Sequence, residues 1–159
     1  MRKTAKVLMI IYMLGMVSGC EEKESFDDHK SNTALIKIIN PSPVNLSDNK
    51  QGISTAQKVK DEVEKIEDLY DVAIIEGDET ILVAYKVKHL KRFTMKKIEK
   101  KLNKMLESQF SQEEFIVSSD YKIFLEAVRL KEDMKDGELS KKEANDRFEE
   151  ILDLTEKLA

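Results

Sequence analysis

The stretch that decides the fold of this chain is YDVAIIEGDETILVAYKV, residues 70–87. Two runs rich in β-branched and aromatic residues, 70–75 and 80–87, lie on either side of a connection that contains Gly77 and Asp78. Strand-forming runs on both sides of a short glycine-containing connection are typical of a β-hairpin. The stretch therefore predicts two neighbouring antiparallel strands.

Helical patterns lie on both sides of this hairpin. Before it, apolar residues recur every three or four positions from Ala56 to Leu69, and Ser54 or Thr55 can cap the start. After it, Thr94 opens a second helix, and residues 114–118 form a third strand. The predicted order is helix, strand, strand, helix, strand. This order favours an α+β domain in which two helices cover one face of a small three-stranded sheet.

Two more helices follow the third strand and form a C-terminal helical hairpin. The first begins near Asp120 and stops at Gly137, and a capping box at Ser140 and Glu143 starts the second. Four large apolar residues are available on this hairpin: Tyr121, Phe124, Phe148 and Leu152. They either cover the core or leave apolar surface for a partner, and the sequence does not choose between these alternatives.

The N-terminus has the three parts of a bacterial lipoprotein signal peptide. A basic start with Arg2, Lys3 and Lys6 precedes an uncharged, mainly apolar run over 7–17, which is about half the ~20 residues that a membrane-spanning helix needs. Val-Ser-Gly-Cys then ends at Cys20, the only cysteine. We expect residues 1–19 to be cleaved, and the Cys20 sulfur to carry diacylglycerol that holds the protein on the outer face of a membrane.

Residues 20–52 are polar and contain both prolines of the chain, so they predict a lipid-anchored tether. Within it, residues 34–39 are either a short strand or an apolar part of the tether. The folded domain is predicted to occupy residues 53–159.

The overall charge narrows the range of partners. The formal net charge of −4 falls to about −7 once the three cations of the signal peptide are removed. An acidic chain lacks the excess of cations that displaces counterions from nucleic acid, so no nucleic-acid binding is expected. An anionic membrane would also repel the chain as a whole, so attachment must rest on the lipid. A single cysteine excludes an internal disulfide.

No pattern in the sequence predicts catalysis, a cofactor or a metal site. His29 stands beside Asp27 and Asp28 in the tether, but no second His or Cys follows at ligand spacing. His89 has no Ser or Cys placed beside it by any motif. We therefore expect a protein that is not an enzyme.

One basic stretch stands out on this acidic chain, and its candidate contact residues are Lys88, Lys91, Arg92, Lys96 and Lys97. The simpler interpretation is a solvated helix face. The alternative is a contact for an anionic partner, namely lipid headgroups, teichoic polymer or an acidic protein surface.

Two short segments, FIVSSD at 115–120 and GELS at 137–140, resemble the sporulation lipoproteins of the YhcN/YlaJ family. The hairpin and the lipidated cysteine belong to the same resemblance, which spans about two-thirds of the chain. It implies a lipoprotein of endospore-forming bacteria, made during sporulation and retained in the spore, with a part in germination or outgrowth. The element order also looks like the BON-type and ring-building modules of envelope proteins, which bind lipid or assemble with their own kind.

The resulting hypothesis is a non-enzymatic, membrane-anchored interaction module in the spore inner membrane or the forespore envelope. Its partners would be other spore membrane proteins, cortex proteins or further copies of the chain. An envelope lipoprotein that binds a lipid or a small ligand is the alternative.

Overall fold

A computed structural model describes residues 40–47 and 54–158. In these ranges four strands form one sheet in the order β1-β2-β3-β4. The strands are β1 (Val44–Asn45), β2 (Leu69–Glu76), β3 (Thr80–Val87) and β4 (Glu114–Ser118). The helices are α1 (Thr55–Val63), a 3₁₀-helix (His89–Thr94), α2 (Met95–Gln109), α3 (Tyr121–Lys135) and α4 (Lys141–Leu158). The predicted signal peptide (1–19), Cys20, His29 and the stretch 34–39 lie outside the described residues.

The α+β class and the hairpin are confirmed. β2 and β3 pair antiparallel, and the Gly77 amide donates to the Thr80 carbonyl across the connection at 3.0 Å. β4 then adds parallel to β3. The pairing register places Asp71 opposite Lys86, and a β-bulge lies between Leu69 and Asp71.

The expectation of a three-stranded sheet is wrong, because the described residues contain a fourth strand. β1 pairs parallel with β2, and the Leu46 amide donates to the Glu76 carbonyl at 2.8 Å. Val44 and Leu46 are buried in the core, within a stretch that the sequence assigned to the tether. A strand of two residues is too short to show the alternation by which strands are recognised, so the pattern missed it.

The sheet has a separate apolar core on each face. α1 and α2 cover one face, where they pack on inward residues such as Ile74, Val83 and Tyr85. α3 and α4 cover the other, where Phe124 and Phe148 are buried. Phe124 and Phe148 of the C-terminal hairpin thus cover the core, whereas Tyr121 is exposed and Leu152 is half-buried.

The predicted helix boundaries on the hairpin are confirmed by their caps. Asp120 Oδ1 accepts from the amide of Lys122 at 2.7 Å, which starts α3. At α4 the capping box closes in both directions: the Ser140 amide donates to Glu143 Oε2 at 2.8 Å, and the Glu143 amide donates to Ser140 Oγ at 3.3 Å. Gly137, with φ of 74°, takes the left-handed conformation that ends α3.

The sheet has two ends that differ in chemistry. At one end of the sheet β2 begins and β3 and β4 end, near Leu69, Val87 and Ser118, and we call this the basic end. The opposite end, near Glu76, Thr80 and Glu114, we call the acidic end. None of the helices in the described ranges is long and apolar enough to cross a membrane.

Candidate functional site

The basic stretch forms a protruding turn at the basic end of the sheet. It leaves β3 at Val87, continues as the 3₁₀-helix and enters α2. Backbone bonds hold its base, since the Lys88 amide donates to the Asp68 carbonyl at 3.0 Å. Inside the turn, Thr94 Oγ1 donates to the Lys91 carbonyl at 2.9 Å. No residue of the 3₁₀-helix is buried, so this turn is held by its backbone and not by a core.

Two large apolar side chains of this turn point into solvent. Leu90 is 87% exposed and Phe93 is 98% exposed. In a helix of three residues per turn, positions i and i+3 lie directly above one another, so these two side chains form one stripe. The same spacing places His89 and Arg92 on one side of that stripe and Lys91 on the other, and Lys88 lies directly before the helix. The apolar pair is therefore bordered by basic side chains.

All five predicted contact residues are exposed and lie in or directly after this turn. Lys91 also forms an ion pair with Asp68, Nζ to Oδ1, at 2.9 Å. That hydrogen-bonded ammonium lowers the pKa of the Asp68 carboxyl below its usual value. In the part of the chain that the structure describes, the other four (Lys88, Arg92, Lys96 and Lys97) form no ion pair. Four cations thus remain available to an outside partner.

A buried charge cluster beneath the turn was not recognised from the sequence. Asp71 Oδ2 lies 3.1 Å from Lys86 Nζ, and the two side chains are 1% and 13% exposed. Lys86 Nζ also lies 4.0 Å from the Phe124 ring centroid, 5.2 Å from that of Tyr70 and 5.7 Å from that of Tyr121. A cation over aromatic faces is attracted by their π electrons. The register of the hairpin places Asp71 opposite Lys86. This register is the feature of the sequence from which the ion pair could be predicted.

The same cluster shows where the chain enters the fold. The Asn40 amide donates to Asp71 Oδ1 at 2.9 Å, and Lys60 Nζ donates to the Pro41 carbonyl at 2.7 Å. Residues 40 and 41 therefore lie against the first residues of β2, at the basic end. The polypeptide that leads from Cys20 reaches the domain at the end that carries the basic turn.

The exposed large apolar side chains of the described residues all gather at this end. Besides Leu90 and Phe93 they are Tyr70, Tyr121 and Leu158. Tyr121 and Leu158 line one cleft of about 430 Å³ together with Met95, which follows the turn. Tyr70 and Tyr121 both flank Lys86. The basic end is thus amphipathic, with apolar and cationic groups side by side.

Tyr85 lies inside the basic end and is fully buried. Burial, which disfavours the phenolate, raises the pKa of Tyr85, and the negative charge of Glu99 raises it further. The group stays neutral and inside the core, so it is not part of the exposed surface.

The acidic end is closed by packing. Phe148 of α4 lies against Gly77, where an added Cβ would approach the ring to 2.5 Å. Glu76 Oε2 accepts from the Ala56 amide at 2.8 Å and so helps to cap α1. The turn and strand starts at this end carry Asp78, Glu79, Glu113 and Glu114. No large apolar side chain within 40–47 and 54–158 is exposed here.

His89, the second histidine, is exposed in the basic turn. Within the described ranges no group of three or more His, Asp or Glu side chains is arranged to hold a metal ion.

Comparison with known proteins bears on this geometry. No curated protein and no solved structure matched the chain, so the likeness to BON-type modules stays a prediction. The family model described as sporulation lipoprotein YhcN/YlaJ matches residues 40–153, which begin at the residue bound to Asp71 and include β1. That match covers most of the chain and the complete sheet. The chain belongs to the sporulation lipoprotein family YhcN/YlaJ.

Proposed function

We propose that this chain is a non-enzymatic, lipid-anchored lipoprotein of spore-forming bacteria. It acts in sporulation or in spore germination and outgrowth by binding an anionic partner through its basic end. The observation that carries the proposal is the turn of residues 88–97, where four unpaired cations surround an uncovered apolar pair. Membership of a sporulation lipoprotein family supports the membrane association and the biological setting.

The electrostatic argument is local. Residues 88–97 contain five Lys or Arg residues and no acidic residue, whereas the whole chain carries a net charge of −4. Opposite charges across an interface guide encounter and specificity more than they raise affinity. A cationic surface on an acidic protein therefore favours anionic partners.

Complementation of a deletion strain tests this proposal. The test variant combines Lys88→Glu with Lys97→Glu. The matched control combines Lys58→Glu with Lys104→Glu, which makes the same charge change at exposed positions farther from the basic turn. We expect the test variant to lose spore function and co-purifying partners, and the control to retain both.

Two results would contradict the proposal. Full complementation by the test variant would exclude the basic end as the binding surface. Loss of function in His89→Ala alone, with normal folding and partner binding, would favour an enzymatic role for that side chain.

A second candidate, binding of a lipid or small ligand, is favoured by one observation. The cleft of about 430 Å³ has a mixed lining that includes Met95, Glu99, Tyr121 and Leu158. Ligand pockets combine apolar walls with a few polar groups that orient the ligand. Native mass spectrometry of the purified protein separates the candidates, because a retained ligand adds a defined mass that Leu158→Arg should abolish.

A further inference from the structure

Three features occur together at the basic end: exposed cations, exposed apolar groups and the entry point of the chain from Cys20. We infer that the anionic partner is the surface of a phospholipid bilayer, which the domain contacts with the 3₁₀ turn while Leu90 and Phe93 enter the interface. The inference rests on the proposed function and names the partner of its basic end.

The arrangement of side chains fits a bilayer surface. Leu90 and Phe93 form an almost fully exposed apolar stripe, and basic side chains border it on both sides. Interfacial segments bury apolar side chains at the boundary of the acyl chains while Lys and Arg remain at the headgroups. Aromatic side chains are enriched at this depth, and Tyr70 and Tyr121 stand half-exposed at the same end.

The position of the chain entry agrees with this orientation. Asn40 is held at the basic end by its hydrogen bond to Asp71, and nineteen residues separate it from Cys20. Even a fully extended chain of that length spans at most about 70 Å, so an anchored domain stays close to the membrane. Entry at the basic end lets the turn reach the bilayer without the chain passing around the domain.

The acids at the acidic end do not oppose this contact, and the acids beside the turn are Glu67 and Asp68, of which Asp68 is paired with Lys91. β2 has eight residues, so it separates the two ends by about 26 Å at ~3.3 Å per residue. Exposed charges are screened beyond about 8 Å at physiological ionic strength. The acids at Asp78 and Glu79 are therefore outside the reach of a surface that touches the basic turn. The net charge predicted repulsion because it ignores where the charges are.

A single-tryptophan reporter tests the inference, because the chain contains no tryptophan. Phe93→Trp places the reporter on the turn, and Asp78→Trp places the matched control on the exposed turn at the acidic end. Each lipidated protein is reconstituted into vesicles of phosphatidylglycerol with phosphatidylcholine, or of phosphatidylcholine alone. We expect a blue shift of the emission and quenching by brominated lipid only for Phe93→Trp and only in the anionic vesicles.

The contribution of charge is measured with residues 20–159 carrying Cys20→Ser, because this chain has neither the signal peptide nor a covalent anchor. Each cation removed from the turn should weaken binding about fivefold, the factor for ~1 kcal/mol per basic residue at an anionic surface. Lys88→Gln and Lys97→Gln test this value, and Lys58→Gln should leave binding unchanged.

Three outcomes would overturn the inference. Unchanged emission in anionic vesicles would mean that the turn does not meet the bilayer. An equal shift in neutral vesicles would mean that charge does not select the surface. A blue shift in Cys20→Ser/Phe93→Trp before any lipid is added would mean that another part of the chain or a second copy covers the turn. If the reporter stays in water while the charge-reversed variant still loses its spore partner, the proposed function stands with a protein partner and only the bilayer is excluded.

Discussion

At the acidic end of the sheet Phe148 is packed into the core with 3% of its surface exposed, whereas at the basic end Phe93 is 98% exposed. A phenylalanine is therefore buried at one end of the sheet and exposed at the other. A closed end with its acids in solvent needs no partner. An end that leaves apolar rings among cations exposes groups that a monomer normally buries, which indicates a contact surface.

The backbone at the two ends shows the same contrast. The acidic end has a tight connection in which Gly77 meets Phe148 at close range. The basic end has a ten-residue excursion, 88–97, that is fixed by backbone hydrogen bonds and one exposed ion pair. The basic end therefore carries a segment that a partner can contact without disturbing the core.

The largest expected effect concerns the anchor that precedes the basic end. Cys20→Ala removes the only sulfur that can accept diacylglycerol, so the precursor should stay full-length and unlipidated. Intact-mass spectrometry of the membrane fraction measures both properties. A lipid mass on a new N-terminal residue would exclude Cys20 as the anchor site.

The second prediction concerns where the domain begins. Fragment 53–159 lacks Val44 and Leu46, whereas fragment 40–159 keeps both. Burial of each such side chain contributes about 1.5–3 kcal/mol, so the shorter fragment should be less stable by roughly 3–6 kcal/mol. It also loses the Pro41 carbonyl that accepts from Lys60. Urea unfolding of the two fragments gives the difference, and equal stabilities would return residues 40–47 to the tether.

The third prediction compares the two phenylalanines directly. Phe148→Ala should lower the free energy of unfolding by about 3–5 kcal/mol, because it opens a cavity under the acidic end. Phe93→Ala should change it by less than about 0.5 kcal/mol, because its ring touches solvent. Thermal melts of both variants check the pair. If Phe93→Ala destabilises the protein to a similar extent, the turn is covered and the contrast between the ends fails.

The smallest expected effect concerns the charge pair inside the basic end. Asp71→Ala leaves Lys86 without its carboxylate and removes the acceptor of the Asn40 amide, so stability should fall by about 3 kcal/mol. Glu62→Ala removes the exposed pair with Lys65 and should cost less than about 1 kcal/mol. Chemical denaturation compares them. Equal losses would show that the buried pair does not hold the chain entry in place.

Much of the fold could be predicted because its elements have regular patterns. β3 and β4 were predicted with their observed bounds, and the caps at Asp120 and Ser140 marked the helix starts. β1 could not be predicted, since two residues have no period and their pairing depends on the sheet that they join. Asp71 and Lys86 follow from the hairpin register, but their burial depends on where α3 packs.

The candidate site was predicted in part. The density of cations along the chain predicts the five contact residues without a structure. It does not predict Leu90 and Phe93, because two apolar residues three positions apart give the same pattern whether they face a core or solvent. Only the tertiary structure shows that no element covers them.

The central claim is that the basic end faces an anionic bilayer. Measuring the orientation of the anchored protein tests this claim most directly. Cys20 is the only cysteine, and a sulfur that carries diacylglycerol cannot take a spin label, so Leu90→Cys and Glu79→Cys would each provide a single labelling site at opposite ends. In phosphatidylglycerol-containing vesicles, the label at position 90 should be relaxed by oxygen dissolved in the lipid and protected from a water-soluble nickel complex. The label at position 79 should show the reverse. Equal access of the nickel complex to both labels would contradict the account.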